Sequence, residues 1–385
     1  MTTKINVLQV IPKLGFGGAE TGCYDIAHFL PENDCGSFVA TSGGELLKFV
    51  KKDKVKILKL PVHSKNPILI IFNSLVLAIY IIFFKINIVH ARSRAPAWSC
   101  YFASLLTRRV FVTTFHGTYN FKSKLKKFYN SVMLKAKLTI AGSNFIFSHI
   151  SENYNEYLSK EKKLRVIFRG INVDYFNSKN ISILKQEKLK QDWGISSNKF
   201  TILLPGRLTY WKGQEKFIEA LNILLVDYNF INFQAIILGS DQGRKVYSKK
   251  LINLVERYNL NKKVKFIHHC NEMPLAYSLA DVVVSASIEP EAFGRVSVEA
   301  QSMGKPIIAS DIGGSKETVI NKKTGFLYKH DDPRELAKNL NTVIQLSPDE
   351  LKIMGNEGRK NITKKFDVET MCQSNLKEYK RLIKN

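Results

Sequence analysis

The sequence predicts an α/β protein built from two doubly wound, parallel-sheet domains. Short and almost wholly apolar runs recur along the chain and alternate with helical patterns. Glycine-bearing turns follow several of these runs. A polar, Lys-rich stretch, 178–197, separates two such series, and the second begins at Phe200. A length of 385 residues accommodates two domains, each with a core of its own.

The first series places strands at 5–11, 37–41, 56–60, 86–91, 110–115, 138–141 and 164–168. The first strand runs into Gly15-Phe16-Gly17-Gly18-Ala19-Glu20, and 21–30 reads as a helix. Glycines there let backbone approach a phosphate, and a helix amino end favours negative charge. A plain tight turn explains the same residues equally well. The second strand ends in Ser42-Gly43-Gly44 without the acid that a dinucleotide-dependent dehydrogenase needs. Residues 68–84 are apolar apart from Asn73 and Ser74. Pro67 before them and a strand directly after them favour a buried or interface-facing helix over a membrane span. Thr114-Phe115-His116-Gly117 closes a strand at the ligand-binding edge of such sheets, so His116 is a candidate functional group as well as a candidate structural histidine. Lys122, Lys124, Lys126 and Lys127 interleave with Phe121, Leu125, Phe128 and Tyr129. That is a basic amphipathic helix, suited to an anionic membrane face or simply to solvent.

Residues 178–197 are expected to carry the inter-domain link. The second series places strands at 201–204, 233–238, 264–267, 281–285, 306–309 and 325–328, and a last helix at 367–383. Pro205-Gly206-Arg207 to Lys212-Gly213 follows the first of these strands. Two cations in a short glycine-bounded loop suit a diphosphate leaving group, and they also fit an ordinary surface. Ser285 to Ala300 is the stretch that the chain is organised around. Strand 281–285 leads into Glu289-Pro290-Glu291-Ala292-Phe293-Gly294-Arg295, and a helix starts near Val296. Glu291 and Glu299 can accept hydrogen bonds from sugar or ribose hydroxyls, or Glu291 can cap the helix. A wholly helical 291–299 would separate the two backbones by about 12 Å, against roughly 5 to 9.5 Å between glycosidase carboxylates. The spacing favours two separate binding tasks. Asp311-Ile312-Gly313-Gly314 is a further glycine turn, and 269–274 is a candidate for reading a nucleotide base through backbone groups.

The chain has 58 Lys and Arg against 33 Asp and Glu, for a net charge of +25. That excess favours acidic partners: phosphorylated substrates, anionic membranes or nucleic acid. The basic residues are dispersed, however, and no nucleic-acid recognition motif accompanies them. Cys23, Cys35, Cys100, Cys270 and Cys372 form no Cys-x-x-Cys, which fits a reducing cytoplasm. No signal peptide is read at the amino end, because the apolar run 5–11 is too short. His-Glu-x-x-His, Walker and Gly-x-Ser-x-Gly motifs do not occur, and no Asp-x-Asp pair signals a metal-held diphosphate.

Taken together, Gly17-Gly18-Ala19-Glu20, His116-Gly117, Gly206-Arg207 to Lys212-Gly213, and Glu291-x7-Glu299 with Phe293-Gly294 between the acids resemble the retaining glycosyltransferases of family four. The resemblance covers nearly the whole chain. It implies the GT-B fold, two Rossmann-like domains facing a cleft. Residues 1–180 would bind the acceptor, with a helix at about 365–385 packing back on them, and 195–364 would bind the nucleotide sugar. Ala91-Arg92-Ser93-Arg94-Ala95-Pro96-Ala97-Trp98 and Glu289-Pro290-Glu291-Ala292-Phe293-Gly294-Arg295 are similar to the bacterial branch that builds lipopolysaccharide core or other surface glycans. Val166-Ile167-Phe168-Arg169-Gly170-Ile171-Asn172 departs from the family's Val-Ile-Pro-Asn-Gly-Val-Asp.

By the same resemblance, Glu291 would hold donor-sugar hydroxyls beside the Phe293 and Gly294 amides. Glu299 would hold the ribose. Arg207 and Lys212 would carry the diphosphate, helped by the Gly17 and Gly18 amides, and His116 would stand close to the transfer centre. The implied reaction uses a UDP-sugar or GDP-sugar, no metal and no cofactor, and transfers with retention by front-face attack. A lipid-linked saccharide acceptor and a peripheral place on the cytoplasmic face of the inner membrane follow from the same resemblance, with no nucleic-acid partner. A sugar-nucleotide epimerase on the same fold and a basic nucleic-acid-binding protein are the alternatives.

Overall fold

The computed structural model describes residues 5–119, 123–158 and 163–384. Phe121 and Lys122 of the basic amphipathic stretch lie outside them. The chain divides into two units, Met1–Gly170 with Val368–Asn385, and Ile171–Asp367.

The first unit runs β1 (Asn6–Val10), α1 (Gly18–Phe29), β2 (Gly36–Thr41), β3 (Val55–Lys59), α2 (Pro67–Phe83), β4 (Ile88–Ala91), α3 (Arg94–Thr107), β5 (Val110–Phe115), α4 (Lys124–Ser131), β6 (Leu138–Ala141), α5 (Asn144–Asn153) and β7 (Lys163–Val166). Its seven strands are all parallel, in the order β3-β2-β1-β4-β5-β6-β7. Most are covered on both faces, which is why they read as apolar runs without alternation.

The second unit runs α6 (Ile183–Trp193), β8 (Phe200–Pro205), α7 (Gln214–Val226), β9 (Phe233–Leu238), α8 (Lys245–Arg257), β10 (Val264–Ile267), α9 (Met273–Ser278), β11 (Val282–Ser285), α10 (Arg295–Ser302), β12 (Ile307–Ser310), α11 (Ser315–Thr318), β13 (Gly325–Tyr328), α12 (Pro333–Ile344) and α13 (Pro348–Lys365). Its sheet is also parallel, in the order β10-β9-β8-β11-β12-β13. The last helix, α14 (Val368–Lys384), belongs to the first unit. Its Met371, Cys372, Leu376, Tyr379 and Leu382 join one core cluster with Val7, Ile26, Ile88 and Val112.

The stretch 178–197 is not the link. It holds α6, whose Gln186 Nε2 donates to the Ser278 carbonyl at 3.2 Å and whose Lys185 pairs with Glu272 at 2.8 Å. Its lysines are the solvated face of a helix. The chain passes between units at Gly170–Ile171 and Asp367–Val368. Residues 171–180 also go with the second unit. The Ile171 N–H donates to the Phe366 carbonyl at 2.8 Å, and the Phe176 carbonyl accepts from Ser302 Oγ at 2.8 Å.

Helix α2 begins as its sequence dictates. Asn66 accepts from the Ile68 N–H at 2.9 Å and Pro67 fills the first turn. Ile70, Asn73, Ser74, Leu77, Ala78 and Ile81 turn inward at helical spacing, while the opposite face stays exposed. Among the described residues no helix is long and apolar enough to cross a membrane.

None of the five cysteines is in a disulfide, and only Cys270 is not buried. Burial pushes the Cys23 thiol up to about 12 and raises Cys100 as well. Titration with a thiol reagent should therefore modify Cys270 alone in the native protein and every cysteine after denaturation. Cys270→Ser should abolish the native reaction, and rapid labelling of a second native thiol would contradict the burial of the other four.

Candidate active site

In the second unit the sheet reverses direction between β8 and β11: the chain proceeds from β8 to β9 and β10, and from β11 to β12 and β13. Open α/β sheets bind ligands outside the carboxyl ends of the strands at such a point. The loop from Gly206 to Gly213 follows β8 there, and the loop from Ala286 to Gly294 follows β11. The two are pressed together. Gly213 has φ +69°, and a Cβ on it would overlap the Ala286 carbonyl.

That packing delivers Lys212 to Glu291. Lys212 Nζ lies 2.7 Å from Glu291 Oε1, with each side chain 12% exposed. Ser287 Oγ donates to the same oxygen at 2.5 Å. The backbone of Glu291 is fixed from the β12 side. Its carbonyl accepts from the Gly314 N–H at 2.8 Å, and Gly313, at φ +57°, would bring a Cβ to 2.5 Å from that oxygen. Lys212 Nζ also lies 4.4 Å from the Trp211 ring centroid, and the Arg207 guanidinium 5.8 Å. Arg207 is exposed and makes no ion pair among the described residues.

Glu299 is 5% exposed and sits on α10. It accepts from Arg295 Nε at 2.5 Å and from the Tyr277 hydroxyl at 2.7 Å. Burial, followed by the Glu299 charge, holds Tyr277 well above the usual phenol range, so it remains a neutral donor. Gly294, at φ +78°, is the N-cap of α10 and offers no side chain to the first-turn N–H groups. Phe293 is buried, with its ring 5.7 Å from that of Phe366.

The first unit carries a separate group of residues. Gly17 caps α1 without a side chain, and Gly18 begins the helix. His116 follows β5. Neither of its ring nitrogens has a hydrogen-bond partner among the described residues, and both are enclosed. Burial first, then the Arg92 and Arg169 charges, hold its pKa well below the usual imidazole range. Gly18, His116, Arg92 and Arg169 border one small, partly open cavity.

The structure thus joins Lys212 to Glu291 and sets Arg207 on the same loop, with Glu299 held apart by its own partners. His116, Gly17 and Gly18 lie in the first unit. The sequence reading did not single out Ser287, Tyr277, Arg92 or Arg169 as site residues. Arg169 had a signal, a departure from the family pattern, and Tyr277 had none.

Residues 16–175 match the model of Glycosyltransferase Family 4, and residues 185–361 match that of Glycosyl transferases group 1. A glycosyltransferase structure from Rickettsia africae is 36% identical, covers 100% of both chains and superposes with a TM-score of 0.91. The structure of Anabaena HepE in complex with UDP is 25% identical, covers 98% of this chain and 100% of that one, and has a TM-score of 0.81. The capsular polysaccharide biosynthesis glycosyltransferase CapM of Staphylococcus aureus is 26% identical over 57% of this chain and 58% of its own length. The chain spans about half the length of the curated relatives it matches first, 54% and 47%. Both halves of the chain define a GT-B fold. The chain belongs to the group 1, family 4 glycosyltransferases.

The buried imidazoles of the first unit give stability a pH dependence. His90, hydrogen-bonded to the Tyr379 hydroxyl at 2.6 Å and to Thr114 at 2.7 Å, is also held neutral by burial and then by Arg92. In the unfolded chain a histidine takes up a proton below about pH 6.5. A folded pKa lower than that means stability is present above pH 6.5 and is lost as pH falls toward the folded value. Urea unfolding from pH 6.5 to 5.5 should show His116→Phe losing about 1 kcal/mol less stability than wild type. Identical losses in the two proteins would contradict a neutral buried His116.

Proposed function

We propose that this protein transfers a sugar, with retention and without a metal, from a UDP-sugar to a lipid-linked acceptor of a bacterial surface glycan. The observation that carries the reading is the Lys212–Glu291 pair at the switch point of the second sheet. It sets a cation and a carboxylate 2.7 Å apart, beside a helix start with no side-chain cap. In this reading Arg207 and Lys212 balance the departing diphosphate. Glu291, Phe293 and Gly294 hold the sugar, and Glu299 holds the ribose. Gly17, Gly18 and His116 serve the same transfer from the first unit. The anomeric carbon–oxygen bond breaks toward the diphosphate. The acceptor hydroxyl bonds to that carbon on the same face, and its proton passes to the diphosphate oxygen. UDP is favoured as the nucleotide because HepE binds it in its crystal structure, and a surface glycan is favoured by CapM. Transferase models matching both halves of the chain do not favour the epimerase or the nucleic-acid reading.

Arg207→Ala, Lys212→Ala and Glu291→Ala should each lower kcat/KM by about 10²- to 10³-fold in folded protein. A chelator should leave the rate unchanged, and the anomeric configuration, read by NMR, should be retained. Full activity in all three variants would remove the site assignment, and an inverted product would remove the mechanism.

A bilayer partner is supported by exposed apolar residues of the first unit. Ile68, Ile79 and Phe83 are 75%, 69% and 75% exposed on α2, and Leu105 and Leu106 stand out on α3. Trp98 of α3 packs on Phe128 of α4, ring centroids 5.7 Å apart, and α4 carries Lys124, Lys126 and Lys127. Exposed apolar side chains together with lysines on α4 suit an anionic membrane surface. The protein should co-sediment with anionic vesicles, release in high salt, and lose binding in Ile79→Glu/Phe83→Glu. Equal binding to zwitterionic and anionic vesicles, or none to either, would contradict it.

A further inference from the structure

The first sheet also reverses direction, between β1 and β4. Arg92 directly follows β4, and its N–H donates to the Val10 carbonyl at 2.9 Å. The backbone tie places the side chain in the crevice where α1 begins. Arg92 is 2% exposed, yet no carboxylate pairs with it among the described residues, and its Nε has no partner. A guanidinium so deeply enclosed is costly without an opposing charge. The groups it acts on most directly do not supply one: His90 and His116 are both held neutral, and Cys23 stays a thiol, while Asp25 and Glu20 act on Cys23 without pairing with Arg92.

The walls around it favour an anion. Arg169 runs past Gly142 to Gly18, where any Cβ would overlap its guanidinium. Gly22 leaves similar room, since a Cβ there would come to 3.1 Å from Arg92 Nη2. The first-turn N–H groups of α1 have no side-chain cap. Two acceptors complicate a purely anionic reading. Asn375 Oδ1 borders the cavity without a partner, and a neutral His116 presents one acceptor nitrogen alongside one donor. A ligand that carries both negative charge and a proton pairs with the cations and donates to one of the two acceptors. Hydrogen phosphate or a phosphate monoester does so, and sulfate does not.

We propose that Arg92, Arg169, His116, Asn375 and the start of α1 form a phosphate-binding pocket in the first unit, one that takes a phosphate group of a substrate. As a substrate subsite it rests on the transferase reading; as an anion site it does not. The phosphate belongs either to the acceptor or to the nucleotide donor, whose distal phosphate becomes a monoester able to carry that proton once the sugar has left, and the two sources separate by experiment.

The full-length protein would be melted in chloride buffer at fixed ionic strength and titrated with inorganic phosphate, and in parallel with sulfate. Wild type should gain about 3 °C at saturating phosphate, and less with sulfate. Arg92→Met should lose at least half of that gain, and should melt no lower than wild type without phosphate, since a lone buried charge has been removed. Arg92→Lys should keep part of the gain. Equal phosphate shifts in wild type and Arg92→Met overturn the proposal. If Arg92→Met fails to fold, unchanged shifts in both Arg92→Lys and Arg169→Gln overturn it instead. Calorimetry with UDP then assigns the source. At least tenfold weaker UDP binding in Arg92→Met makes the phosphate the donor's, and unchanged UDP binding makes it the acceptor's. No UDP binding by wild type would strike the donor reading while leaving the phosphate result standing.

Discussion

The ion pair between Lys212 and Glu291 joins residues 79 apart in the chain, and much of the second unit is shaped to let it form. Charges of opposite sign on two loops attract only if both backbones are already close. Gly213 provides that closeness on one side, because only a residue without Cβ can lie against the Ala286 carbonyl. Gly313 and Gly314 provide it on the other, holding the Glu291 carbonyl from the β12 loop. The pair then costs little conformational entropy of its own, because the loops that carry it are held by backbone contacts. With each side chain 12% exposed, it is only partly screened by solvent. In the proposed function, a substrate diphosphate that drew Lys212 toward itself would meet a cation already positioned and a carboxylate already oriented. Such preorganisation is where electrostatic catalysis gains most.

Glu299 illustrates the same economy with different partners. Its two oxygens are engaged by Arg295 and Tyr277, so the carboxylate is buried without being stranded. A carboxylate has about four lone-pair positions, and one hydrogen bond on each oxygen leaves acceptor capacity for a ligand hydroxyl. The neutral state of Tyr277 is what permits this. A phenolate beside Glu299 would set two negative charges together in a buried place.

The strands were legible because parallel sheets covered on both faces need unbroken apolar runs, and each run ends at a turn that punctuates it. Helix α2 was legible from Pro67 and its apolar length, although sequence did not say that only one face would be covered. The stretch 178–197 was misread because a Lys-rich composition describes a solvated surface, whether that surface belongs to a linker or to a helix such as α6. Glu291, Lys212 and Arg207 stood out as charged residues in glycine-bounded loops after strands. Their mutual contact did not, since sheet order alone decides which loops become neighbours: β8 lies beside β11 although β9 and β10 intervene in the chain. Arg92 was visible only as part of a family-like string. Its significance depends on its having no carboxylate partner among the described residues, a property of three-dimensional packing that no local pattern encodes.

The excess of positive charge gains meaning from where it is left unbalanced. Pairs such as Lys54–Glu32 and Lys185–Glu272 lie on the surface, where they contribute little to stability. A nucleic-acid-binding surface would collect the remainder into an exposed stripe that follows a phosphate backbone. Here two of the cations at the carboxyl edges of the sheets behave otherwise. Arg92 is enclosed beside the start of α1, and Arg207 stands in the β8 loop over Trp211. Neither has a carboxylate partner among the described residues. Single, shaped positions of this kind suit discrete phosphate groups on small or lipid-linked molecules. In the proposed reading they would contact one phosphate at a time and would take their selectivity from the neutral groups around the cation. In the first unit those groups are His116 and Asn375, whose unmet hydrogen bonds ask for a ligand that donates as well as accepts.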